Sequence, residues 1–221
     1  MGTRGARPRR KGEIKWSSHI AYAVGLITTD GCLSNDGRHI IFVSKDREQL
    51  KNLMRALKIR VKIGSTISGY TGKVTTRIQF GDVKLYRFLQ EIGLMPNKTK
   101  VISSLAIPEP FFFDFLRGHF DGDGSFYSYW DPRWRSSFMY YLSFVSASRA
   151  HIDWLRSVIA RLLKVGGHVT HDGRHRTFQL KYAKKESLKI IGSMYKKKNC
   201  MHLTRKRKKI LKALRASKTQ E

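Results

Sequence analysis

The chain has 221 residues, 41% of them hydrophobic, enough for one large domain or two small ones with cores of their own. Lysine and arginine number 44 against 16 acids, a formal net charge of +28, which points to an anionic partner, nucleic acid first and a membrane surface second. No apolar run of about 20 residues and no signal-peptide pattern supports the membrane, and Cys32 and Cys200 lack zinc-ligand spacing, which reads as reduced thiols in an intracellular protein.

Residues 1–13 join Gly, Pro and Arg with almost nothing apolar and read as a disordered basic arm. Ser17 or Ser18 then caps a helix that should run to Asp30, with the small residues Ala21, Gly25 and Thr29 four apart on one face. Gly31 suits the left-handed position just past a helix end. After a polar turn at 34–37, the β-branched and aromatic run His39–Val43 predicts a strand, and Asp46 caps a helix carrying Leu50, Leu53, Met54 and Leu57 inward. Stretches 60–68 and 73–80 read as a hairpin. Its second strand alternates, with Lys73, Thr75, Arg77 and Gln79 on a polar face and Val74, Thr76, Ile78 and Phe80 toward the core. A helix from about Asp82 to Ile92 ends at Gly93.

The Pro-bearing stretch Ile107–Pro110 reads as a linker, with Pro110 opening a helix that should end at Asp123 and Gly124 and that carries Gly118 and Gly122 on one face. That helix repeats the first, and the order after it repeats too: Phe144-Val145-Ser146 answers Phe42-Val43-Ser44, Ser148 caps a helix as Asp46 did, and Phe178-Gln179-Leu180 answers Ile78-Gln79-Phe80. Tyr127, Tyr129, Trp130, Arg133, Trp134 and Arg135 read as an aromatic and basic loop, and beyond Thr204 a basic helix offers Ile210, Leu211 and Leu214 for docking. The expected division is 14–107 and 108–221, each an α+β unit. His168, His171 and His175 fall on a hairpin without Cys or acidic company, which argues against zinc, and His119 is expected to pack within its own unit.

Each repeated helix ends in a carboxylate, where the helix dipole disfavours negative charge by a few tenths to about 1 kcal/mol. Faces of small residues let the two helices come close and bring Asp30 and Asp123 together, and like charges that close resist joint ionisation unless a cation lies between them. The pair therefore reads as a metal site. Asp121 is excluded by the internal comparison, because its equivalent in the first copy is Thr28.

These two segments, Gly25-Leu26-Ile27-Thr28-Thr29-Asp30-Gly31 and Leu116-Arg117-Gly118-His119-Phe120-Asp121-Gly122-Asp123-Gly124, resemble the motifs of single-chain LAGLIDADG homing endonucleases. The resemblance implies two pseudo-symmetric αββαββα units forming a saddle on double-stranded DNA, with the acids over the minor groove. It implies Mg²⁺ held by Asp30 and Asp123 with the carbonyls of Thr29 and Gly122, Ca²⁺ as a non-catalytic substitute, and a basic residue near each scissile phosphate, Lys98 and Lys206. Where the family often has Gln after the first strand, this chain has Ser44 and Ser146. The residues agree with a DNA partner on their own terms. Lys73/Thr75/Arg77/Gln79 and His175/Thr177/Gln179/Lys181, with Arg133 and Arg135, mix phosphate-binding cations with side chains able to read base edges. One helical turn per half gives a target of about two turns. The function expected is a monomeric, site-specific double-strand endonuclease, in a bacterial cytoplasm or an organelle matrix. A non-cleaving binder of the same fold, an intron RNA maturase or a DNA-binding regulator, is the alternative.

Overall fold

The computed structural model describes residues 12–67, 72–134 and 137–218. The basic arm, apart from Gly12 and Glu13, the tip of the first hairpin and Arg135 lie outside the described residues.

Helix α1 (Ser18–Asp30) starts where the Ser17 side chain accepts from the Ile20 amide at 3.2 Å, and Ile20 to Thr28 are all buried. A helix apolar on every side has to lie inside the protein. Its partner is α4 (Phe112–Asp123), reached through a 3₁₀ turn over Glu109–Phe111 that places Pro110 ahead of the helix rather than in its first position. Proline cannot donate, so that turn takes it up before the regular ladder begins. The two helices touch backbone to backbone. A Cβ on Gly25 would overlap the Phe115 carbonyl oxygen and come 2.6 Å from the His119 amide, and one on Gly118 would overlap the Tyr22 carbonyl. At Gly122 it would run into the Thr29 hydroxyl.

Both helices run straight into strands, which corrects the expectation of left-handed caps. Gly31 has φ −92° and Gly124 φ −75°, ordinary extended backbone. Glycine is required there by crowding, since a Cβ would sit 2.6 Å from the carbonyl oxygen of Ile27 or Phe120, four residues back. Among the described residues Gly93, after α3, is a glycine with positive φ, +103°.

Each half then builds one four-stranded antiparallel sheet. The first uses β1 (Gly31–Leu33), β2 (His39–Ser44), β3 (Gly64–Ile67) and β4 (Val74–Gly81) in the order β1-β2-β4-β3. The second uses β5 (Ser125–Trp130), β6 (Phe138–Ser146), β7 (His168–Asp172) and β8 (Thr177–Tyr182) in the order β5-β6-β8-β7. Helices α2 (Arg47–Leu57) and α3 (Val83–Glu91), then α5 (Arg149–Leu163) and α6 (Lys184–Met194), cover one face of each, and α7 (Thr204–Lys218) docks through Ile210 and Ala213. Leu211 and Leu214 are only half-buried.

Several sequence expectations shift in detail. Tyr127, Tyr129 and Trp130 belong to a strand, because Phe126, just before them, is buried and pairs into the sheet opposite Leu142, and the pairing continues through Trp130 opposite Phe138. Phe42 pairs with Ile78 and Phe144 with Leu180, so the halves align two residues away from the expected match, which keeps each side chain on its face. His175 precedes β8 in the turn, its Nδ1 2.8 Å from Asp172 Oδ2. The alternation along β4 holds at Ile78, Gln79 and Phe80 and reverses in burial near the tip, where Val74 is 73% exposed and Thr75 only 7%. Val74 pairs with Ile67, itself 70% exposed, beyond the helical layer.

Overpacking at a backbone contact costs about 1–3 kcal/mol, which here lowers the melting temperature by about 2–12 °C. Gly118→Leu is expected to show that loss, whereas Gly192→Ala, with nothing within 4 Å of the added Cβ, is expected to leave stability unchanged or raised. Equal melting temperatures for native protein and Gly118→Leu would show that the helices are not held at this distance.

Candidate active site

The packing of α1 on α4 delivers Asp30 and Asp123, the last residue of each helix, to one end of the seam between the two halves. Burial, and next the negative charge of Asp123, pushes the Asp30 carboxyl up to about 7. Asp123, itself exposed at this end of the seam, is raised as well by desolvation among the surrounding protein, and Lys206 and Lys98 pull it down. Two carboxylates that disfavour each other's ionisation, in a setting of oxygen donors, are a donor set of the kind a hard divalent cation takes together with phosphate oxygens and waters. Among the described residues there is no cluster of three or more His, Cys, Asp or Glu side chains suited to a metal.

The two lysines occupy matching places. Lys98, 6% exposed, starts a 3₁₀ turn after Asn97, whose left-handed backbone (φ 55°) turns the chain inward, and its Nζ donates to the Gly31 carbonyl. Lys206, in the first turn of α7, donates to the carbonyls of Phe120 at 2.6 Å, Gly122 at 2.9 Å and Gly124 at 2.6 Å. Both thus neutralise the end of a motif helix, as the dipole favours. Burial lowers both ammonium groups, Lys206 to about 8. The Gly122 carbonyl, one of the two implied as metal ligands, therefore already carries a cation, while no partner side chain reaches the Thr29 carbonyl among the described contacts; the Thr29 hydroxyl lies 3.3 Å from Asp30 Oδ2.

Sequence reasoning missed Gln49. Its Nε2 donates to Asp30 Oδ2 at 2.8 Å, and its Oε1 accepts from Ser44 Oγ at 2.7 Å, so Ser44 reaches the acid only through this amide. The signal was available: Gln49 and Asn52 are two amides at i and i+3 beside the apolar stripe of α2, and both are 3% exposed. Asn52 donates to the His202 carbonyl at 2.9 Å, Thr204 meets Glu48, and Arg205 pairs with Asp46 at 2.8 Å. The C-terminal stretch thereby straps the second half to α2 of the first. Lys45, Arg47 and Arg205 line the same cleft as Asp30, and so does Thr75, which is 7% exposed.

Asp121 is structural here. Its Oδ2 accepts from the Tyr22 hydroxyl at 2.7 Å and the Leu203 amide at 2.8 Å, and burial pushes its carboxyl up to about 6. His119 packs within its own half, stacked on His151 at 5.3 Å.

On the faces turned away from the helices, Arg77 and Gln79 lie opposite Val43 and Ile41 across β2, and Lys73 is exposed beside the hairpin tip. In the second sheet Thr177, Gln179 and Lys181 share such a face, the Lys181 ammonium 5.8 Å from the Tyr127 ring and 5.9 Å from that of Tyr141. Arg133 projects from the β5–β6 loop, 83% exposed. Among the described residues no helix is long and apolar enough to cross a membrane.

Residues 18–93 match the sequence model of the LAGLIDADG-like domain. No curated protein sequence matches. Among solved structures, the chain is similar to the homing endonuclease I-WcaI bound to its DNA recognition sequence, at 12% identity and TM-score 0.57, over 80% of this chain and 82% of that one. It is similar to I-DmoI in complex with DNA and Mn, at 16% identity and TM-score 0.52, over 81% and 97%. Full-length DUF199/WhiA from Thermatoga maritima also matches, at 18% identity and TM-score 0.55; 82% of this chain spans 57% of that one. The chain has the LAGLIDADG fold of two α+β units.

An acid raised on folding costs stability wherever it must ionise. For Asp30 that cost is full above about 7, shrinks as pH falls, and vanishes below the unfolded value of about 4. In metal-free protein, Asp30→Asn is therefore expected to raise the melting temperature by a few degrees at pH about 8.5 and by less than half as much at pH about 5. An equal change at both pH values would show that the carboxyl is not held against ionisation.

Proposed function

We propose that this chain, built on the LAGLIDADG fold of two α+β units, is a site-specific, Mg²⁺-dependent double-strand DNA endonuclease acting as a single molecule. The observation that carries the reading is the convergence of Asp30 and Asp123 at the end of one helix seam, with Lys98, buried, and Lys206, partly buried, beside them. In this reading Asp30 and Asp123 hold the cation, with the Thr29 and Gly122 carbonyls next to them. When bound, Mg²⁺ lowers the pKa of attacking water and neutralises charge on the phosphate.

The chain's own groups do the rest. Lys98 and Lys206 are already desolvated, so their ammonium groups interact strongly with charge that develops on a phosphate in the cleft. A cation held by the Gly122 carbonyl would compete with Lys206 for it, and Lys206 has the Phe120 and Gly124 carbonyls as further acceptors. Lys73, Thr75, Arg77 and Gln79 on one sheet, and Thr177, Gln179 and Lys181 with the neighbouring His175 and Arg133 on the other, bind the duplex on either side of the seam; Arg135 is assigned the same role. Lysine and arginine position the backbone, and Gln79 and Gln179 are suited to adenine edges.

One observation favours a second reading, a non-cleaving nucleic-acid binder: Asp30 is tied by Gln49 and the Gly122 carbonyl by Lys206, which would also stabilise a site that never takes a metal. The two readings separate cleanly. For the endonuclease, Asp30→Asn or Asp123→Asn lowers cleavage of both strands by about 10³-fold or more, about 4 kcal/mol of barrier, while binding to the same site persists. Ca²⁺ tightens duplex binding by the native protein and less by either variant, measured as equilibrium affinities at fixed ionic strength. A native protein that binds a site yet neither cuts it with Mg²⁺ nor responds to Ca²⁺ makes the acids structural.

A further inference from the structure

The two halves repeat each other closely around the acids, and one of their differences bears directly on Asp30. After each central strand a serine accepts from the backbone of the helix cap: Ser44 Oγ from the Asp46 amide and Ser146 Oγ from the Ser148 amide, both at 3.1 Å. Three residues past each cap stand Gln49 and His151. Gln49 is fixed at both ends of its amide, by Ser44 at 2.7 Å and by Asp30 at 2.8 Å, with a longer contact to the Asp121 carbonyl at 3.4 Å. That leaves little freedom to an amide 3% exposed. It engages Oδ2 of Asp30, as does the Thr29 hydroxyl, and leaves Oδ1 for another partner.

His151 does nothing equivalent. Its Nδ1 donates to the Ser103 carbonyl at 2.8 Å, its Nε2 lies 3.2 Å from His119 Nε2, and the two rings stack. Among the described residues no side chain hydrogen-bonds Asp123, and the cations that pull its carboxyl down are Lys206 and Lys98. One carboxylate is hydrogen-bonded by side chains of its own half and the other is not.

We infer that Gln49 is a positioning residue for Asp30, and that the resulting inequivalence makes the two strands of a bound duplex break in a fixed order, the strand served by the Asp30 side first. The inference rests on the endonuclease reading above. A carboxylate already oriented loses less freedom on reaching the reactive geometry, so its side of the site reacts faster.

The test uses the full chain and a duplex it cuts, labelled on both strands, in single-turnover reactions with Mg²⁺. Gln49→Met keeps the volume and removes both hydrogen bonds. The native protein is expected to cut one strand before the other, and Gln49→Met to slow that strand about tenfold. The second strand, measured on a duplex already nicked in the first, should keep its native rate. Melting temperature and metal-free duplex affinity should stay near native, and the tightening by Ca²⁺ should fall, a change that a loss of folding would not produce. A native protein that cuts without strand order, or a Gln49→Met that slows both strands alike or neither, overturns this inference and leaves the endonuclease reading standing. A native protein that cuts neither strand overturns both.

Discussion

The structure depends on two helices in backbone contact. At Gly25 and Gly118 an added methyl group would overlap main-chain atoms of the other helix, and at Gly122 the Thr29 side chain, so the spacing of α1 and α4 is set mainly by main-chain atoms. That rigidity has an electrostatic consequence. Both helices run the same way into their sheets, so both carboxylate-bearing ends meet at one place, and Asp30 and Asp123 raise each other's cost of ionisation. Of the cations that its net charge of +28 supplies, two lysines, Lys98 buried and Lys206 partly buried, are hydrogen-bonded to main-chain oxygens at the helix ends, while Lys45, Arg47 and Arg205 line the cleft. The two lysines offset the helix dipoles and part of the carboxylate charge, and leave a deficit that an added cation and a phosphate would complete.

A second constraint is the strap from the second half to the first. Residues from Met201 to Lys206 accept from Arg117 of α4, hold Asp121, and reach Glu48, Asp46 and Asn52 of α2. The strap therefore fixes α2, α2 carries Gln49, and Gln49 orients Asp30. Through this chain of contacts the orientation of an acid in the first half depends on residues near the end of the second.

Much of this was legible in the sequence, for identifiable reasons. Helix starts at Ser17, Asp46, Asp82 and Ser148 are local capping events, and each side chain accepts from the helix backbone as expected. The close faces of Gly25 and Gly118 follow from spacing alone. What the sequence hid was non-local. Gly31 and Gly124 read as left-handed because a glycine after a helix commonly is, whereas crowding against Ile27 and Phe120 is visible only once the strand continues the helix. Thr75 read as a residue of the polar strand face and is buried, bordering the cleft that Asp30 and Arg205 also line. Gln49 stands beside the apolar stripe of α2, but nothing in the local pattern says that α1 ends opposite it. The charge network around Lys206 likewise needs residues more than 80 positions apart.

The central claim is that one seam of two helices carries a metal-dependent cleavage site for a long duplex target. Incubating the protein with a randomised duplex library and Mg²⁺, then sequencing the cleaved ends, tests it most directly. The account predicts a single family of sites spanning about two helical turns, cut on both strands near the centre. Recovery of a bound site with both strands intact would contradict it.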